Sequence, residues 1–200
     1  MAQRHDPCDP PILDEDLEYE GGVRPGEPLP DFDLVTTDRG RVQKSDYGRI
    51  RPLLLHFASI TSPASATAIP ILRELHDDYR DRIEFLTIYD GEESPGDRYP
   101  EPATFEDKLR HARALLARDR IPWPVAVDGI QGTFKTAMGA RPTLLWLVDE
   151  SGTIVRELHA LDAIGLAGAL ERFCADPARA SEEPTRPSVA SRLGIEAAGT

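Results

Sequence analysis

The run Leu53-Leu54-Leu55-His56-Phe57, closed by Pro52 on one side and by a Ser/Thr/Pro loop at 59–63 on the other, constrains this chain more than any other feature. Five residues are too few for a stable helix, and apolar side chains without alternation indicate a strand buried on both faces. Such a strand belongs inside a sheet that is covered above and below. After the loop, Ala66, Ile69, Leu72, Leu75 and Tyr79 recur at helical spacing with Arg73, Glu74, Asp77 and Asp78 between them, which predicts an amphipathic helix kinked at Pro70. Residues 83–89 then alternate as a second strand. Strand, helix and strand in that order predict a parallel, right-handed crossover.

The flanking segments fill in the same sheet. Phe32-Asp33-Leu34-Val35-Thr36-Thr37, the turn Asp38-Arg39-Gly40 and Arg41-Val42 read as an opening hairpin. Past a Pro/Gly-rich loop at 90–103, Thr104 is placed to cap a helix whose apolar face is Phe105, Leu109, Ala112 and Leu116, with Glu106 and Asp107 in its first turn. A short strand at 124–127, a brief helix around 131–138, two strands at 143–148 and 153–158 joined by a turn, and a last helix at 162–174 complete the order. A parallel half followed by an antiparallel hairpin and a helix requires an α/β fold with a mixed central sheet and helices on both faces.

Composition sets the limits around this core. Residues 1–28 and 175–200 carry Pro, Gly, Ala and charge with little apolar periodicity, so the chain divides into an acidic N-terminal arm (1–28), one domain (29–174) and a C-terminal tail (175–200), both ends expected to be flexible. With 23 basic against 35 acidic residues the formal charge is −12, which repels phosphate backbones and anionic lipid and disfavours nucleic-acid and membrane partners. Asp6, Asp9, Asp14, Glu15 and Asp16 occupy the place of a basic, then apolar, secretion signal, and no apolar run approaches the roughly 20 residues of a membrane span. A soluble cytoplasmic protein is the expectation. The two cysteines, Cys8 and Cys174, form no CxxC and join no His cluster, so neither a metal site nor a cofactor is expected. Cys174 shares a helical stripe with Ile164, Leu170 and Phe173 and reads as core. Trp123 and Trp146 read as core packing, His56 as a ring inside the sheet packing, and His76 and His111 as solvent-facing. The adjacent carboxylates Glu92 and Glu93 read as solvated.

The stretch Gly139-Ala140-Arg141-Pro142-Thr143-Leu144-Leu145 resembles the segment that carries the cis-proline of thioredoxin-like proteins, which would make Pro142 that proline. Residues 52–63 resemble the strand and active-site loop of redoxins, above all the iodothyronine deiodinase-like branch, and the likeness continues through 85–89, 105–113 and 125–128. Roughly residues 27–174 are covered. The resemblance implies a thioredoxin-like fold whose site is formed by Ser59, Thr61, Ser62, Pro63, Tyr89, Arg141 and Pro142. It also implies a departure, because Ser62, or Thr61 in a peroxidase-like alignment, stands where the selenocysteine or catalytic cysteine belongs. Ser94 occupies the place of one family histidine, and the second falls near Pro102.

A hydroxyl does not become a thiolate-like nucleophile near neutral pH and forms no reversible sulfenic acid or mixed disulfide. Helix capping is the ordinary use of a serine at Ser62. The leading expectation is therefore a noncatalytic module that holds a protein or peptide segment beside Thr61, Ser62 and Pro142. Two alternatives stay open: a thiol-dependent oxidoreductase that borrows Cys8 or a partner's cysteine, and a small-molecule binder. Oligomeric state is not legible from the residues.

Overall fold

The computed structural model describes residues 22–47, 51–140 and 144–175. Seven strands form one mixed sheet in the order β2-β1-β5-β4-β3-β6-β7. In chain order these are β1 (Asp33–Thr36), β2 (Arg41–Gln43), β3 (Leu53–Ala58), β4 (Glu84–Tyr89), β5 (Val125–Val127), β6 (Leu144–Val148) and β7 (Ile154–His159). Four helices join them: α1 (Pro63–Tyr79), α2 (Phe105–Asp119), α3 (Thr133–Met138) and α4 (Ala163–Cys174). β3 runs parallel to β4 and β4 parallel to β5, while β6 returns antiparallel to β3. All six residues of β3 are buried, as an apolar run without alternation requires.

Strand pleating divides the core into two layers. Leu54 and Ala58 of β3, with Phe85 and Tyr89 of β4, face α1, α2 and α4. Leu55, Phe57, Leu86 and Ile88 face α3 and the segment containing Leu29 and Phe32. α1 runs unbroken through Pro70 from the N-cap Ser62, and buries Ala68, Ile69, Leu72, Leu75 and Tyr79. Ala66, placed on that stripe from its spacing, is exposed, and Ser65 takes the inward position. α2 begins at Thr104 in a reciprocal capping box with Asp107. Its buried face is Lys108, Leu109, His111, Ala112 and Leu115, rotated from the apolar stripe expected at Phe105, Leu109, Ala112 and Leu116.

Further expectations change on the described residues. His111 is buried, not solvent-facing, and His76 packs between Phe85 and Trp123 at 5.2 Å from each ring. Ile164 is exposed, because the inward side of α4 is Leu166, Ala167, Ala169 and Leu170, while Cys174 is half-buried and packs against the core. Residues 22–28, placed in the N-terminal arm by composition, are bonded to the domain: Gly26 N–H donates to Ile154 O, Ile154 N–H to Glu27 O, and Pro28 bridges Thr153. Backbone pairing needs no apolar side chains, so composition is blind to it. Gly22 has φ +107°, and a Cβ there would lie 2.6 Å from Gly139 Cα, so this approach to α3 needs glycine. The rest of the arm and residues 176–200 lie outside the described residues.

Candidate functional site

β3, β4 and β5 are parallel, so their carboxyl ends open on one edge of the sheet, where crevices form in open α/β sheets. Three loops meet there: 59–62 after β3, 90–103 after β4, and 128–132 after β5. At their centre sits Glu92, whose side chain has no exposed surface. Its Oε1 accepts from the Tyr89 hydroxyl and lies 2.7 Å from Nδ1 of His111 on α2. Its Oε2 accepts from Thr61 Oγ1 at 2.9 Å, and Ser59 Oγ lies 2.9 Å from that same Thr61 oxygen. The hydroxyls are held in turn by backbone: Glu93 N–H donates to Ser59 Oγ at 3.2 Å and Ser94 N–H to Thr61 Oγ1 at 3.2 Å.

A carboxylate can be buried this way because each oxygen receives donors that replace the lost water. Burial and the neighbouring Glu92 carboxylate raise the Tyr89 phenol well above its usual range, so it stays protonated as a donor. Tyr99 packs edge-on against the His111 ring at 5.3 Å. Arg118, near the end of α2, donates to Ile60 O at 2.7 Å, so α2 holds the 59–62 loop directly there and through Glu92 at His111.

Ser62 is buried, and its Oγ accepts from Ser65 N–H at 3.2 Å as the N-cap of α1. Ser65 Oγ accepts from Ser59 N–H at 3.1 Å, closing the turn. Beside Ser62 lies a cavity of about 170 Å³ between Phe57, Ser59 and Ser65 on one side and Asp90, Glu101 and Lys135 on the other. Lys135 Nζ is 2.7 Å from Asp90 Oδ2, and burial pushes the Asp90 carboxyl up against the pull of Lys135. Asp128 accepts from the backbone N–H of Gly129, Phe134 and Lys135 and so fixes the start of α3. The buried Lys108 donates to Gly129 O, its ammonium pKa drawn down by burial.

Of the residues expected at the site, Ser59, Thr61, Ser62 and Tyr89 are brought together. Pro63 follows as the exposed first residue of α1. Arg141 and Pro142, with the cis bond expected between them, lie outside the described residues. Ser94 contributes its backbone N–H. Two members of the cluster depart from expectation: Glu92, expected as a solvated carboxylate, and His111, expected as an exposed ring, are both buried side chains. The signal for His111 lies in spacing, since Lys108, His111, Ala112 and Leu115 follow i, i+3, i+4, i+7 as faithfully as a purely apolar stripe. Among the described residues no group of three or more His, Cys, Asp and Glu side chains has the arrangement of a metal site.

The sheet order, the helices on both faces and a loop-to-helix turn at the end of a central strand define a thioredoxin-like protein. Solved structures agree. The thioredoxin domain of a thiol-disulfide oxidoreductase from Bacteroides vulgatus superposes with a TM-score of 0.58 at 14% identity, covering 76% of this chain and 99% of that one. A peroxidoxin from Mycobacterium tuberculosis gives 0.58 at 16% identity, covering 76% and 97%. Residues 14–157 match the family described as Iodothyronine deiodinase, and the chain belongs to that family. Thyroxine 5-deiodinase of Gallus gallus is 30% identical over 146 residues, 67% of this chain and 56% of that protein. The enzyme of the same name from Sparus aurata is 29% identical over 187 residues, 77% and 68%. The chain spans little more than half the length of the Gallus gallus relative. Among the described residues no helix is long and apolar enough to cross a membrane.

Proposed function

We propose that this member of the deiodinase family binds an extended protein or peptide segment at the 59–63 loop and performs no thiol or selenol chemistry of its own. The observation that carries this reading is the state of Ser62, which the resemblance, in its deiodinase-like form, puts at the family's nucleophile position. Its side chain is buried, and its oxygen is committed to Ser65 N–H as a helix cap. The acid-base pair beneath it, Glu92 and His111, reaches Thr61 through Glu92 rather than Ser62, so Ser62 is not arranged like the serine of an acyl-transfer triad. What the cluster does provide is a fixed floor for a ligand beside Ser59, Thr61 and Pro63, with Tyr89 beneath. A cytoplasmic location is part of the proposal, supported by a cysteine content of only two in 200 residues.

A second reading keeps thiol redox chemistry and supplies the sulfur from Cys8. Gly22 packs against Gly139, which follows the helix that carries Lys135 into the cavity beside Ser62. Fourteen residue steps lead from Cys8 to Gly22, a tether that spans at most roughly 50 Å. One experiment separates the two. The wild-type chain is assayed with a peroxide, a disulfide and an iodothyronine in the presence of a thiol reductant, beside Ser62→Cys and Cys8→Ser. The noncatalytic reading expects no turnover by wild type and, in Ser62→Cys, a thiol pKa below about 8.5 from the amide N–H groups at the start of α1. Turnover by wild type that disappears in Cys8→Ser would overturn it in favour of the second.

A further inference from the structure

A second cavity lies at the opposite end of β3, against Leu53 rather than beyond Ala58, so the length of the strand, roughly 17 Å, separates it from the 59–62 loop. Its volume is about 310 Å³, within the range of roughly 300–1,000 Å³ that encloses a whole small molecule. The floor is Leu29, Leu53 and Val148, all buried, and Tyr47 forms one wall. Separate segments make these walls, and the main chain locks them together: Leu29 N–H donates to Gly152 O at 2.9 Å and Lys44 N–H to Phe32 O at 3.1 Å. Gly152, at φ +81°, leaves room for the Lys44 stem, since a Cβ there would lie 3.8 Å from Lys44 Cε. The hollow is held open by fixed backbone, as a preformed ligand site is. Its polar groups are not equally available. Ser151 Oγ is engaged by Asp149 and Thr153, and Lys44 Nζ lies 3.1 Å from Asp31 Oδ1. The Tyr47 hydroxyl, by contrast, has no hydrogen-bond partner among the described residues, and burial pushes its pKa up to about 12, so it stays a neutral donor.

We propose that this cavity binds a neutral aromatic molecule of one or two rings, its apolar body on Leu29, Leu53 and Val148 and a single hydroxyl or carbonyl oxygen accepting from the Tyr47 hydroxyl. A charged ligand fits poorly. An anion meets Asp31 and Glu150 at the rim, a cation meets Lys44, and either would exchange its water for the apolar floor. The site is independent of the peptide-binding reading, because its residues belong neither to the 59–63 loop nor to the cluster around Glu92.

The test titrates the full chain with N-phenyl-1-naphthylamine, a neutral probe that brightens in apolar surroundings, and then displaces it with 2-naphthol, naphthalene, 2-naphthoate or 2-naphthylmethylammonium. One saturable site per chain is expected, with 2-naphthol the strongest competitor and the two charged analogues at least about tenfold weaker. Tyr47→Phe should weaken 2-naphthol about fivefold, the size of one neutral hydrogen bond, and leave naphthalene unchanged. Ser45→Trp and Ser151→Trp, both at exposed positions of the lining, should each obstruct the mouth and abolish probe binding, while circular dichroism spectra matching wild type show that the fold is intact. Probe binding that never saturates, or that survives both tryptophan variants at wild-type strength, refutes the cavity as a site. Charged analogues that compete as well as 2-naphthol refute the neutral ligand class. A Tyr47→Phe variant that treats 2-naphthol and naphthalene alike refutes the hydroxyl contact. None of these outcomes bears on the 59–63 loop.

Discussion

His56 should make this protein sensitive to mild acid in a way that a single substitution removes. Its ring lies in β3 on the face shared by Leu54 and Ala58, opposite Thr87 of β4 and Leu145 of β6, and neither ring nitrogen has a hydrogen-bond partner. Burial alone pulls the imidazole from 6.5 down to about 4. As the pH falls below 6.5 the unfolded chain takes up a proton that the folded chain refuses until about pH 4, so stability drops across that window and levels off below it. Integrated between pH 7 and pH 5, the linkage amounts to about 2 kcal/mol. Other groups titrate over the same range, so the quantity to measure is a difference. His56→Leu keeps a similar volume and removes the titrating group. Urea unfolding of wild type and variant at pH 7 and pH 5 should show the variant's advantage growing by about 2 kcal/mol at the lower pH. An advantage that is the same at both pH values would refute the assignment of His56 as a neutral, unpartnered ring.

Glu92→Ala should cost about 3–5 kcal/mol in urea unfolding, since it leaves buried donors on Tyr89, Thr61 and His111 without their acceptor, and a loss under about 1 kcal/mol would mean the cluster does not form in solution. Asp128→Ala should lose about 2–3 kcal/mol by releasing the three backbone N–H groups it accepts from, with Asp128→Asn recovering part of it; equal losses would rule out capping as the role. Tyr47 and Tyr79, both pushed up to about 12 by burial, stay protonated when the unfolded chain's tyrosines ionise near 10. Stability should therefore fall as pH rises from 10 towards 12, and tyrosinate absorbance in the folded protein should lag behind that of the urea-unfolded chain.

Much of the scaffold is legible because it is built from runs whose period is unambiguous. The β3 run, the β4 alternation and the α1 stripe each allow one reading, and Thr104 with Asp107 marks the start of α2 within a residue. The site is harder because its parts are polar residues whose burial depends on tertiary closure. Glu92 looks solvated in a loop of Pro, Gly and acid, and becomes buried only because that loop folds back over Tyr89 and His111. The inward face of α2 is misread for the same reason: Lys108 and His111 cover a polar floor, which an apolar stripe does not anticipate. Segment 26–29 was hidden differently, since it attaches through main-chain groups that every residue possesses.

That attachment covers the beginning of one of the two open margins of the sheet. β7 is a terminal strand, and pairing of 26–29 with 152–154 occupies the amide and carbonyl row at its start, which would otherwise be free to recruit a strand from another molecule. The opposite margin, β2, is only three residues long, and its Arg41 is tied to Asp33 of β1. A fragment trimmed to begin at residue 30 would keep every helix and strand, yet expose a template for self-association. Its defect would appear as concentration-dependent aggregation rather than as a loss of secondary structure.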